Sequence, residues 1–207
     1  TDHININFGE EGVFIQTMDS SHISIFELNL PKSWFDEYEL NESTTIGIHS
    51  SILYKILHSR DKDHQLNLNM PSSGHDKLNL DFTSTNPKVF NRNYEISLMD
   101  IESDQLQIPE IEYDAEFSLP SYNFAQLIDD FKMFGNTLEV KCSEENISLN
   151  ATSQETGKMH VDIPIDDILS YAINEDQTLK QSFSIDHLQN ICSYHKISKE
   201  MEINLKA

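Results

Sequence analysis

Lysine and arginine are scarce in this chain. They number 14 among 207 residues against 35 Asp and Glu, which leaves a formal net charge of −21. So few cations exclude a protein that grips nucleic acid by general surface basicity, because that affinity comes from clustered Lys and Arg neutralising phosphates. Any nucleic-acid contact must be local. Cysteine is limited to Cys142 and Cys192, far apart and outside any C-x-x-C. That excludes a disulfide scaffold or a zinc ribbon and reads as two buried or half-buried thiols in a reducing compartment. With only 6 Gly and 6 Pro the chain is not a low-complexity one. No window approaches the roughly 18 uninterrupted apolar residues of a membrane span, so no membrane partner is expected. The opening at Thr1 carries no basic and apolar leader. Phosphate cradles, nucleophile elbows, zincin helices and dinucleotide folds are excluded with their motifs: no G-x-x-x-x-G-K-[ST], G-x-S-x-G, H-E-x-x-H or G-x-G-x-x-G occurs.

Apolar residues at 38% are enough to bury a core, and their arrangement is repetitive. Three stretches share a pattern of alternating strand, amphipathic helix, polar turn and further alternating strand, beginning at Ile46, Phe117 and Phe183. In the first, Ser50 or Ser51 is placed to cap a helix whose Ile52, Leu53, Ile56 and Leu57 form one stripe, and Leu66–Met70 then alternates. In the second, Pro120-Ser121 leads into a stripe of Phe124, Leu127, Ile128 and Phe131, followed by Leu138-Glu139-Val140. In the third, Asp186 is the expected cap, Leu188, Ile191 and Cys192 form the stripe, and the alternating strand Met201–Ala207 follows. That last alternation ends without a turn, as in a fragment of a longer chain.

A second repeat joins strand-turn-strand pieces: Glu10-Glu11-Gly12-Val13 parallels Glu144-Glu145-Asn146-Ile147, 134 positions on. Gly12 and Asn146 are both expected at positive φ in the turn. Two similar α+β halves follow, with helices on one face of largely antiparallel sheets. Between them residues 100–110 lack any helix or strand period and contain Pro109, the mark of a long connector. Leu106, Ile108 and Tyr113 make it a candidate docking surface.

Catalytic constellations are weak. His58 and His64 straddle Asp61 and Asp63, but the interspersed Arg60 and Lys62 describe a solvated turn better than a metal loop. Ser20-Ser21-His22 offers a nucleophile beside a base, yet neighbours in a turn rarely face each other. Asp129-Asp130 and Asp166-Asp167 are paired only in sequence. No enzymatic activity, cofactor or metal is expected.

Ordered blocks then carry a family resemblance: Gln16-Thr17-Met18-Asp19-Ser20-Ser21-His22-Ile23, Leu98-Met99-Asp100-Ile101, Leu106-Gln107-Ile108-Pro109-Glu110 with Glu112-Tyr113, and Ser118-Leu119-Pro120-Ser121 with Phe124. In order and spacing they resemble proliferating cell nuclear antigen, the eukaryotic-type DNA sliding clamp, over essentially the whole chain. The resemblance implies an α+β sliding-clamp fold: residues 1–98 as an N-terminal clamp domain lacking its first strand and helix, 99–113 as interdomain connector, and 114–207 as a C-terminal clamp domain lacking its last strands. It further implies a homotrimer closed head to tail around double-stranded DNA, helices inward, with the edge strand holding Tyr94 and Ile96 paired to a neighbour's Gly157, Met159 and Val161.

By the same resemblance, Met18, His22, Ile23, Leu106, Ile108, Pro109 and Tyr113 line a pocket for a short peptide carried by DNA polymerase, flap endonuclease and ligase, and a clamp loader is implied. An aliphatic and two aromatic anchors, each worth about 1.5–3 kcal/mol when buried, suffice for roughly micromolar binding. Lys55, His58, Gln126, Lys132 and Lys196 are the DNA-facing candidates, and here the chain departs from the family: Gln126, Asp129 and Met133 stand where the second-domain helix would carry charge or a His. Carboxylates on the outer sheets lie about 10 Å or more behind the helices, beyond a Debye length of about 8 Å, so local helix charge decides. The family's modifiable lysine appears here as Glu144. A nucleus or a viral replication compartment is the implied place of work. Two other readings are a clamp-like subunit for repair or checkpoint signalling in a hetero-ring, favoured by poorly basic helices, and an acidic DNA mimic.

Overall fold

Ile4, Ile6 and Phe8 alternate with Asn5 and Asn7 in the first strand, β1 (His3–Gly9), the period of a sheet buried on one face only. This computed structural model describes residues 2–70, 76–102 and 106–207. Thr1 and three residues of the expected connector, Ser103, Asp104 and Gln105, lie outside them. The chain divides into two units, Thr1–Ile108 and Pro109–Ala207, a division that falls inside the stretch 99–113.

In the first unit, β1 is followed by β2 (Gly12–Met18), β3 (Ile25–Pro31), a 3-10 turn at Lys32–Trp34, β4 (Thr44–His49), α1 (Ser50–His58), β5 (Gln65–Asn69), β6 (Lys77–Thr83) and β7 (Arg92–Ser97). They form an antiparallel sheet of order β3-β2-β1-β4 and a second of order β5-β6-β7. Ile6, Val13, Ile46, Ile48, Leu78, Leu80 and Ile96 fill its core. Fully burying a side chain such as Ile48 or Leu80 stabilises by about 1.5–3 kcal/mol each. Leu53, Ile56 and Leu57 of the expected α1 stripe pack partly against this core, while Ile52 is exposed.

The second unit contains β8 (Ala115–Pro120), α2 (Ser121–Phe131), β9 (Thr137–Cys142), β10 (Asn146–Ser153), β11 (Gly157–Pro164), a 3-10 turn at Ile165–Asp167, β12 (Ser170–Ile173), β13 (Leu179–Ser184), α3 (Ile185–Cys192) and β14 (Glu200–Leu205). Its sheets run β11-β10-β9-β13 and β12-β8-β14. The larger one repeats the order of the first unit's larger sheet, strand for strand. Phe124, Ile128 and Phe131 of the α2 stripe are buried together with Phe117, Leu138, Ile147, Leu149 and Ile185. Cys142 and Cys192 are both buried free thiols.

The helix starts depart from the cap expectations. α1, α2 and α3 each follow a strand without an intervening loop, so the flanking residues His49, Pro120 and Ser184 are still extended and make no side-chain cap bond. The first helical N–H finds a carbonyl instead: Ser50 N–H donates to Asp2, Ser121 to Lys199 and Ile185 to Asn136. Each acceptor immediately precedes the strand paired with the one that feeds the helix. A donor that a helix leaves unpaired is thus satisfied by sheet topology. Ser50 is inside its helix, and Asp186 sits in the first turn of α3.

The turns of the second repeat are only partly alike. Gly12 takes φ +141°, and a Cβ there would lie 2.1 Å from the Leu30 carbonyl oxygen. Asn146 is not in the left-handed region. It opens β10 extended, because the Ser143 hydroxyl closes that turn by donating to the Asn146 carbonyl at 3.1 Å and side chain at 2.9 Å. Two tyrosines repeat the same role: Tyr38 donates to the Gly9 and Gly12 carbonyls, and Tyr171 to that of Ser143.

Candidate functional site

Alternation along β2 sends Val13 and Ile15 into the core and leaves Phe14, Gln16 and Met18 on the opposite face, beside Ile25 and Glu27 of β3. The chain leaving β7 crosses that outer face. Met99 bridges Gly47 at the edge of β4. The Ile101 carbonyl accepts from Asn5 Nδ2 of β1 at 3.1 Å, and Leu106 is held on both sides by Gln16 of β2, its N–H donating to Oε1 at 2.7 Å and its carbonyl accepting from Nε2 at 2.8 Å. Three successive strands therefore grip the connector. Only glycine fits at the first grip, since a Cβ on Gly47 would stand 2.3 Å from the Met99 oxygen and 2.7 Å from the Ile101 side chain.

Met18 ends β2 on this face, next to a turn that Asp19 organises: its Oδ1 accepts from the N–H groups of Ile23 and Ser24 at 2.8 and 2.9 Å, and Ser21 donates to its other oxygen. His22 adopts φ +57° and sets Nδ1 3.0 Å from the Met18 sulfur. This geometry leaves Ile23 70% exposed. Leu106 and Ile108 are exposed too. The fold thus brings Met18, His22, Ile23, Leu106 and Ile108 into the first unit, and assigns Pro109 and the exposed Tyr113 to the second. Gln16, Asn5 and Gly47 were not singled out by sequence reasoning, because nothing local distinguishes a polar residue at an outward strand position.

Lys55 and His58 are exposed on α1, where the His58 ring stacks on Tyr54. Gln126 donates to the Tyr122 hydroxyl one turn away. Lys132 bonds Asp186 at 2.5 Å and Asn136 at 2.9 Å. Lys196 is exposed in the turn after α3. The α2 and α3 surface further pairs Gln189 with Asp129 and exposes Tyr122, Met133, Ile191 and Tyr194.

β7 pairs only with β6, and β11 only with β10, among the described residues. Tyr94, Ile96, Met159 and Val161 turn their side chains onto their own cores. What these edges offer a neighbour is therefore main chain, opening in β11 at Gly157.

Among the described residues the alternative chemistries find no geometry. His64 Nδ1 accepts from the Asp61 N–H at 2.9 Å, so Nε2 donates to the Phe90 carbonyl at 2.9 Å and the ring pins a turn. Ser21 is bonded to Asp19 and not to His22. Elsewhere Ser148, His160 and Asp162 meet, but the serine hydroxyl donates to Asp162, whose carboxyl is held below its usual range chiefly by that bond and then by His160. The serine thus bonds the carboxylate and not the imidazole, which is not the serine–histidine pairing that nucleophilic catalysis uses.

The profile described as Proliferating cell nuclear antigen, N-terminal domain, matches residues 1–106, and that described as the C-terminal domain matches residues 107–207. Among curated relatives, Proliferating cell nuclear antigen 2 of Drosophila melanogaster is 24% identical over 200 residues, which covers 97% of this chain and 77% of the relative. Two adjoining matches that take in every residue, on two units repeating one sheet order, have one meaning: the chain belongs to the proliferating cell nuclear antigen family, the non-enzymatic DNA sliding clamps.

Proposed function

We propose that three copies of this chain close head to tail around duplex DNA, as clamp domains 1–98 and 114–207 joined by the connector 99–113. The observation that carries this reading is that β7 in the first unit and β11 in the second are both end strands of their sheets, each paired on one side only among the described residues, with side chains turned onto their own cores so that main chain is free to pair. A heterologous contact between two different surfaces closes into a ring when its rotation allows. Main-chain pairing of Tyr94 and Ile96 with a neighbour's Gly157, Met159 and Val161 would extend both sheets without disturbing either core.

Partner docking is proposed on the outer face, where Met18, His22, Ile23, Leu106, Ile108, Pro109 and Tyr113 receive a peptide from DNA polymerase, flap endonuclease or ligase, and a clamp loader opens the ring. The grip on Met99, Ile101 and Leu106 supports it, since residues already held cost less to bind. Lys55, His58, Gln126, Lys132 and Lys196 are proposed to face DNA loosely: Lys132 is engaged within its own unit, and enclosure makes strong adhesion unnecessary. The place of work is a nucleus or a viral replication compartment, supported by family membership alone.

Light scattering of the purified chain tests the ring, followed by retention on nicked circular DNA before and after linearisation. The expected result is a trimer mass and release on linearisation. A monomer that competes with DNA for a basic protein would favour the acidic mimic, and a trimer formed only on adding a second clamp-like chain would favour the hetero-ring.

A further inference from the structure

Both N–H groups and the oxygen of the Gln16 carboxamide are engaged. Besides its two bonds to the Leu106 main chain, Nε2 donates to Glu27 Oε1 at 2.7 Å, directly across the β2–β3 pair. The carboxylate settles which end of the amide faces which Leu106 group, because a reversed amide would set its oxygen against the Glu27 oxygen and against the Leu106 carbonyl. Donating to and accepting from one residue's main chain reproduces a strand-pairing contact between segments 90 positions apart. Gln and the shorter Asn carry both groups on one planar carboxamide whatever the pH, whereas glutamate at this site would place a second carboxylate beside Glu27.

We propose that Gln16, oriented by Glu27, is a positioning residue for partner docking: by occupying both main-chain groups of Leu106 it presents the neighbouring Ile108 in a fixed path, so an incoming peptide does not bear the cost of ordering the connector. This rests on the docking reading above. Ordering a residue costs about 1–2 kcal/mol, so release of Leu106 corresponds to roughly tenfold weaker binding at 1.4 kcal/mol per decade.

The test uses the full chain and a fluorescent peptide carrying one aliphatic and two aromatic anchors, with hydrogen exchange of the Leu106 amide read in parallel. For Gln16→Leu, faster exchange at Leu106 and about tenfold weaker peptide binding are expected. For Gln16→Glu, the affinity ratio to wild type should be lowest at pH 7.5 and recover toward pH 5.5, as a protonated carboxyl regains a donor; a merely structural role would not move that ratio with pH. Glu27→Gln keeps an acceptor and should bind as wild type does. Wild-type binding with unchanged affinity in Gln16→Leu, or an unchanged Leu106 exchange rate, overturns the positioning role and leaves docking intact. Failure of the wild-type chain to bind the peptide overturns the docking reading itself. Should Gln16→Leu not fold, the pH ratio of Gln16→Glu decides.

Discussion

The ammonium of Lys132, at the end of α2, stands 2.5 Å from Asp186 in the first turn of α3. The one cation of the α2 segment is thereby neutralised inside its own unit. Both groups are partly exposed, so the pair adds little stability, about 0–1 kcal/mol. Its consequence is for DNA. Asp186→Asn releases Lys132 at little cost to folding, and each further phosphate neutralised should steepen the log–log salt dependence of DNA retention by about 0.9. Retention on circular DNA measured across a salt series checks this, and an unchanged slope would place Lys132 away from the duplex.

Gly47→Ala drives a methyl into the Met99 oxygen at 2.3 Å. The backbone on that side must move, at a cost of about 1–3 kcal/mol. Urea unfolding of the variant should show that loss, and limited proteolysis should cut residues 99–108 faster than in wild type.

Burial pushes the thiols of Cys142 and Cys192 up to about 11 from an ordinary 9.0. Between those values the unfolded chain has lost protons that the folded chain keeps, so stability is full below about pH 9 and falls as pH rises toward about 11. A thiol-reactive chromogen at pH 8 should label neither residue until denaturant is added. Cys142→Ala and Cys192→Ala should each reduce the alkaline loss.

Ile128 is fully buried in α2, and Ile52 of α1 is 42% exposed. Ile128→Ala is expected to cost about 2–5 kcal/mol, whereas Ile52→Ala should stay within about 0.5 kcal/mol. Chemical denaturation of the two variants, side by side, measures the difference.

Much of this was readable in the residues. Phe124, Ile128 and Phe131 lie three to four positions apart, which a helix turns onto one face, and all three are buried. The helix caps were not readable. Ser50 and Asp186 have the right chemistry for a cap, but each lies inside a helix that starts directly at the end of a strand, and the first helical N–H, of Ser50 and of Ile185, goes to the carbonyls of Asp2 and Asn136, which only strand pairing delivers. Asn146 failed likewise, because Ser143 closes its turn.

The three strand-helix-strand units, the repeat and the family match were determined by the sequence alone, because periodicity and turn chemistry act over a few residues and the family blocks are colinear. Which outward polar residue holds the connector was decided by tertiary structure. Gln16 and Leu106 are 90 positions apart, and their hydrogen bonds exist only once β2 has paired and the chain leaving β7 has turned back across the sheet.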